Sequence, residues 1–179
     1  MNILIFDSAI NYLGDIPLDK SVTEFTWVEK SYELGEFSLI VEPTDETRET
    51  LISMLKKENI VYIGDSQSGI IKSDIKIFTD DGIEKFEIGG KMAEEYLSRR
   101  IIWGKVHYEG KHVDTAMREM VKNAVTDPSN ANRKISTVQL GTDYSITDSV
   151  DYQDSYGNLL EDLYAIAKTT GYHFRLALD

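Results

Sequence analysis

The residues of this chain best suited to metal binding or proton transfer are three histidines, His107, His112 and His173. They stand five and sixty-one residues apart, and neither interval is the i, i+4 spacing that sets two ligands on one helical face. His107 reads as a packing residue in an extended run and His112 as a residue at a helix start. The chain has no cysteine, which excludes disulfide frameworks, thiol catalysis and cysteine-ligated zinc and leaves the redox compartment open. For a hydroxyl nucleophile, Gly64-Asp65-Ser66-Gln67-Ser68-Gly69 superficially suggests a presenting turn. Its second glycine is displaced from the G-x-S-x-G elbow and no strand-to-helix context surrounds it, so it reads as a hairpin loop.

The remaining candidates are charged or glycine-rich. Asp148, Asp151 and Asp154 recur every three residues, and Thr142 to Asp162 holds six acidic and no basic side chains. Calcium favours clustered oxygens, but the D-x-D-x-D-G loop with its twelfth-position glutamate is absent, and a solvated loop is the simpler reading. A glycosidase pair of carboxylates is defined by separation in space, which abundance alone does not supply. Gly89-Gly90-Lys91 ahead of a helix offers free amides to a phosphate, yet lacks the Walker spacing and its Ser/Thr and reads as a permissive helix entry. Arg99-Arg100 and Arg133-Lys134 read as subunit-contact or ion-pair residues in so acidic a chain. No catalytic, cofactor-binding or metal-binding residue is assigned, and no cofactor is expected.

The elements that must position such groups follow from the hydrophobic pattern. Ser21–Lys30 and Glu36–Glu42 are β-branched and aromatic runs that pair as a hairpin through a turn at Tyr32 to Gly35. Thr44 is placed to cap a helix that begins with Asp45 and Glu46 and buries Leu51, Ile52, Met54 and Leu55. Strands are expected at Ile60–Ile63 and from Ile70 to Phe78, the latter with Ile71, Ser73, Ile75 and Ile77 on one face. Asp80-Asp81-Gly82 then turns the chain into Ile83–Ile88, since Asp-Gly tolerates the positive φ of a tight turn. Gly89-Gly90 are expected to break that strand before a short helix, Lys91 to Arg99, with extended structure resuming at Ile101-Ile102-Trp103.

Val113, Ala116, Met117, Met120, Val121, Ala124 and Val125 recur at helical spacing, and Asp127-Pro128 must end that helix. A loop at Ser129–Asn132 leads to an expected strand at Ile135–Leu140. The last helix covers Leu159 to Ala167, closes at Gly171 and delivers the chain into an expected strand at Tyr172–Leu176. The fold class is therefore α+β: a β-rich domain over about residues 1–100 with one or two short helices, then a smaller mixed α+β domain over 101–179. The sequence stops in what reads as a sheet-forming region, so the second domain is expected to be incomplete and the native chain to continue beyond Asp179.

Composition narrows the function. Of 179 residues, 41% are hydrophobic, enough for a core. Thirty-one acidic against nineteen basic side chains give a net charge of -12, which argues against holding nucleic acid by phosphate neutralisation. Residues 1–50 alone hold 11 acidic and 3 basic side chains. No apolar run approaches the roughly 20 residues that span a bilayer, and the N-terminus has no basic region before its apolar stretch, so membrane insertion is not expected.

Several short motifs in order carry a family resemblance. Ser31-Tyr32-Glu33-Leu34-Gly35-Glu36-Phe37-Ser38-Leu39-Ile40-Val41 resembles the "G-E-F" hairpin near the start of tail-hub proteins of siphophages and prophages of Gram-positive hosts. Gly69-Ile70-Ile71, then Ile88-Gly89-Gly90-Lys91-Met92 to Leu97-Ser98-Arg99-Arg100-Ile101-Ile102, is similar to that family's strand, glycine, helix and "R-R-I-I" sequence. Val113-Asp114-Thr115-Ala116-Met117 to Asn123-Ala124 resembles its next helix, and Gly157-Asn158-Leu159-Leu160-Glu161 to Gly171-Tyr172-His173-Phe174-Arg175-Leu176 its following helix and strand. The family's usual asparagine after the second helix is only loosely matched by Asn123.

The resemblance implies a barrel-like first domain and a structural virion protein: a homotrimeric hub at the distal end of the tail tube, in the baseplate or tail tip. Its partners would be the distal tail and tube proteins and the tip or fibre assembly, and DNA would pass without specific binding. It would be made in the host cytoplasm before assembly. An acidic lumen repels phosphate, so part of the first fifty residues is expected to line the channel. The rival readings are a cell-wall hydrolase, which needs a cleft with converging carboxylates or a metal, and a host carbohydrate- or ligand-binding module. A ring-former instead predicts exposed apolar residues such as Ile101 or Trp103 in a self-contact patch.

Overall fold

The computed structural model describes residues 2–64 and 67–178, and the chain divides into two compact units. Residues 1–30, 34–94 and 175–179 form the first, residues 31–33 and 95–174 the second.

The first unit is an antiparallel sheet of eight strands: β1 (Asn2–Phe6), β2 (Tyr12–Pro17), β3 (Val22–Val28), β4 (Glu36–Val41), β5 (Ile60–Gly64), β6 (Gln67–Ile71), β7 (Lys76–Asp80) and β8 (Ile83–Met92). Their order is β2-β1-β5-β6-β8-β4-β3, with β7 also paired to β8. The sheet is open. Among the described residues no ladder joins β2 to β3, so the expected barrel is not closed.

Alternation selects the core face: Phe37, Leu39 and Val41 of β4 are buried while Glu36, Ser38 and Ile40 between them are less so. Ile3, Ile5, Ile16, Ile71, Phe86 and Ile88 join them, and helix α1 (Arg48–Met54) covers the cluster with Leu51 and Met54. The β3–β4 hairpin forms with Val28 opposite Glu36. Asp81 and Gly82 take φ of 50° and 79°, the positive pair a two-residue hairpin turn requires.

Three local expectations are corrected in this unit. Helix α1 starts a turn later than Thr44, whose carbonyl instead accepts from the amides of Thr47 and Arg48. The run from Ile70 to Phe78 is two strands, because Ser73 turns inward to accept from the Gly89 amide at 2.7 Å. Gly89 and Gly90 lie within β8 rather than ending it: Gly90 pairs with both Phe37 and Ile71, and its missing side chain is where the Phe37 ring sits. The chain also returns to this unit at its far end. Leu176 donates its amide to the Glu94 carboxylate at 3.0 Å and accepts at its carbonyl from the Ser68 hydroxyl at 3.4 Å.

The second unit contains α2 (Glu95–Ser98), β9 (Lys105–His112), α3 (Val113–Val121), β10 (Ser149–Ser155) and α4 (Leu159–Thr170). A π-helical turn, Lys122–Thr126, extends α3 up to Asp127. Helices α3 and α4 bury Val113, Ala116, Met117 and Met120 on one and Leu159, Leu163, Ile166 and Ala167 on the other. Asn158 caps α4, its Oδ1 accepting from the amides of Leu160 at 3.0 Å and Glu161 at 3.4 Å, and Gly171 closes it at φ 78°. Asn158→Ala is expected to cost about 1 kcal/mol, read as a lower denaturation midpoint.

Strands β9 and β10 pair antiparallel, which corrects the reading of the acidic segment as a solvated loop. The strand expected at Ile135–Leu140 is a turn instead, held by Ile135 N to Val125 O at 3.0 Å and Val138 N to Ile135 O at 3.2 Å. Residues 172–176 form no ladder either. Their partners are side chains: the Tyr172 hydroxyl donates to Asp148 at 2.7 Å, and Phe174 packs on Tyr164 with ring centroids 5.0 Å apart.

Candidate functional site

Where β10 turns into α4, two carboxyl groups meet over Gly157. A Cβ on Gly157 would overlap Asp154 Oδ2 and lie 2.6 Å from Asp162 Oδ2, so the absence of a side chain there is what lets them converge. Asp162 is 6% exposed. Its Oδ1 accepts from the Tyr152 hydroxyl at 2.9 Å, while its buried Oδ2 has no donor. Burial is the main force pushing the Asp162 carboxyl up to about 6; the Tyr152 hydrogen bond opposes it and the adjacent Asp154 carboxyl reinforces it. The same surroundings drive the Tyr152 phenol well above its usual range, through burial first and the Asp162 bond second. The arrangement favours the neutral form of Asp162 relative to an exposed aspartate.

Just outside this turn lies an exposed aromatic surface. Ile102 N donates to Gly157 O at 2.9 Å and Tyr156 N to Gly104 O at 3.0 Å, which sets the Ile101–Gly104 stretch beside the Ser155–Asn158 turn. Trp103 is 70% exposed, Tyr156 60% and Ile101 44%, and the two rings meet edge to face with centroids 5.8 Å apart. The two basic pairs of the sequence come together here. Arg100 Nε donates to Arg133 O at 2.9 Å, Arg133 donates to Ile101 O, and the Arg133 guanidinium lies 5.9 Å from the Trp103 ring centroid. Arg99 stacks on Tyr96 at 4.3 Å.

No sequence spacing shows that Arg99-Arg100 and Arg133-Lys134 share a site, because a strand, a helix and a π-helical turn separate them. The exposed indole at Trp103 was the readable part, with Ile101 beside it.

The other singled-out residues do not gather. Asp148 accepts from Tyr172, Asp151 accepts from the Gly110 amide at 2.7 Å, and Asp154 faces Asp162. His107 lies on β9 within 3.0 Å of Glu109, His112 precedes α3 without a side-chain cap, and the ring of His173 stacks on Tyr32 at 5.0 Å. Asp65 and Ser66 of the Gly64–Gly69 segment lie outside the described residues. Lys91 pairs with Glu36 at 2.8 Å at the rim of a shallow trough of about 550 Å³ floored by Ser38, Gly89 and Gly90. Among the described residues no group of three or more His, Asp or Glu side chains comes together to hold a metal, and no helix is long and apolar enough to cross a membrane.

The architecture has counterparts among solved structures. The prophage tail protein gp18 from Listeria monocytogenes EGD-e superposes with a TM-score of 0.51 at 15% identity, over 94% of this chain and 44% of that one. The tail protein from Neisseria meningitidis MC58 does so with a TM-score of 0.52 at 13% identity, over 98% of this chain and 47% of that one. The sheet-rich α+β fold is thus one found in phage tail proteins, and the chain spans less than half the length of either. The chain belongs to the Siphovirus ReqiPepy6 Gp37-like protein family, whose sequence model matches residues 2–179. No curated protein matches the sequence.

Proposed function

We propose that this chain is a structural component of a phage or prophage tail, a hub at the distal end of the tail tube that links tube to tip or fibre assembly. The observation that carries the reading is the tail-protein fold, shared over nearly the whole chain, in a member of a siphovirus protein family. The hub works by self-association, as a homotrimer in the complete protein, with the distal tail and tube proteins as neighbours. The charge balance supports passage of DNA without capture: at -12 the surface repels phosphate on average. Part of the first fifty residues, with the acids that it carries, would line the channel.

The test is made on particles. An antibody against the chain is expected to label the distal tail end, and in-frame deletion of the gene to yield particles without an assembled tip. Label along the tube or on the capsid would overturn the reading. A cell-wall hydrolase would instead reveal itself by releasing soluble fragments from purified wall.

A further inference from the structure

We propose that the surface formed by Ile101, Trp103, Tyr156 and Arg133 docks onto the acidic first unit of a second copy of this chain. The proposal deepens the hub reading by naming one contact through which self-association runs. Its composition is that of an interface centre: an exposed indole and phenol held edge to face, an aliphatic neighbour, and an arginine over the ring. The rings are also positioned in advance. Trp103 follows a bridge between Ile101 and Asn158, and Tyr156 sits at φ 57°, a left-handed conformation that a non-glycine residue adopts only when its surroundings impose it. Docking therefore orders little that is not ordered already.

Charge selects the occupant. The first unit carries 19 acidic and 10 basic side chains, the second 12 and 9. Within the second unit, Arg99 to Lys134 holds eight basic and four acidic residues, and Arg100 and Arg133 from its two ends meet beside Trp103. The Arg133 guanidinium on one side of the aromatic pair meets more favourable potential on the net-acidic first unit of another copy than on a second unit. Such a contact joins two different surfaces. It is heterologous, and it closes into a ring where the rotation permits. A long polyanion is the weaker occupant, since the rest of the chain repels it.

The experiment is sedimentation and light scattering of the chain over a wide concentration range, beside Trp103→Ala and Arg133→Glu. The wild type is expected to associate reversibly and to dissociate as salt is raised. Both variants should weaken association about tenfold or more with unchanged circular dichroism, because the side chain of Trp103 supports no core. With Tyr156→p-benzoylphenylalanine in an isotopically mixed sample, intermolecular cross-links are expected on peptides from residues 1–30 or 34–94. A wild type that stays monomeric, variants that associate like it, or cross-links confined to residues 95–174 would each overturn the proposal. A monomer whose tryptophan fluorescence is quenched by a single-stranded oligonucleotide would overturn it in favour of nucleic acid. None of these outcomes touches the antibody label on particles, so the surface and the tail role fail separately.

Discussion

Gly90→Ala is expected to destabilise the first unit by at least about 3 kcal/mol, the upper range for overpacking a well-filled core. A Cβ at this position would overlap the Ile70 carbonyl oxygen and two carbons of the Phe37 ring. The carbonyl belongs to the backbone of a paired strand, so it gives way only by opening the β6–β8 ladder. The ring is no freer: it stacks on Trp27 with centroids 5.5 Å apart, and Gly69 lies under its other edge, where a Cβ would come within 2.7 Å. Gly89→Ala supplies the control, since the same change one residue earlier meets only Phe37 O at 3.6 Å and Ser73 Oγ at 3.9 Å. That variant should lie within about 0.5 kcal/mol of wild type. Urea unfolding followed by tryptophan fluorescence reads both, and equal midpoints would refute the steric account.

Asp162→Asn should raise stability at pH 7 by about 2 kcal/mol and flatten its dependence on pH. The folded carboxyl sits at about 6 against an ordinary 3.8, so between those values the folded state keeps a proton that the unfolded state has released. The favourable contribution is complete below about pH 4, falls as pH rises toward 6, and is gone above it. Two units correspond to roughly 2.7 kcal/mol at 1.36 kcal/mol each. Asparagine stays neutral throughout and presents an amide donor to the Asp154 carboxylate, while its oxygen still accepts from Tyr152. Denaturation profiles from pH 4 to pH 8 test this. A variant less stable than wild type at pH 8, or one with the same slope, would rule out a raised Asp162 carboxyl as the source of the pH dependence.

What could be read from the sequence is what local chemistry decides. The Asp81-Gly82 turn needs positive φ at two residues, Asn158 and Gly171 bracket a clean apolar stripe, and Pro128 limits how far α3 can run. Those signals act over a few residues and were legible. The Gly89-Gly90 pair misled because two glycines in a row also describe a break; only the Phe37 ring, distant in the chain, distinguishes a packing space from a stop. Of β9 only an extended run at His107 was legible, and β10 was hidden, because Lys105–His112 and Ser149–Ser155 are largely polar. They bury only Tyr108 and Val150, too few for a period of two to stand out. The carboxyl pair and the arginine cluster are juxtapositions made by the fold, and no spacing along the chain encodes either.

The clamp on Leu176 bears on how the protein is made. Glu94 is nearly buried, and burial pushes its carboxyl upward, yet the amide that it accepts from lies eighty-two positions later. During translation the first sheet emerges with that carboxylate and Ser68 still waiting for their partner. The second unit must be synthesised in full before the closing segment leaves the ribosome. A loop of this length delays closure, because entropy must be spent before the long-range contact repays it. The nascent first unit therefore passes through a stage in which the Glu94 carboxylate and the Ser68 hydroxyl are without Leu176.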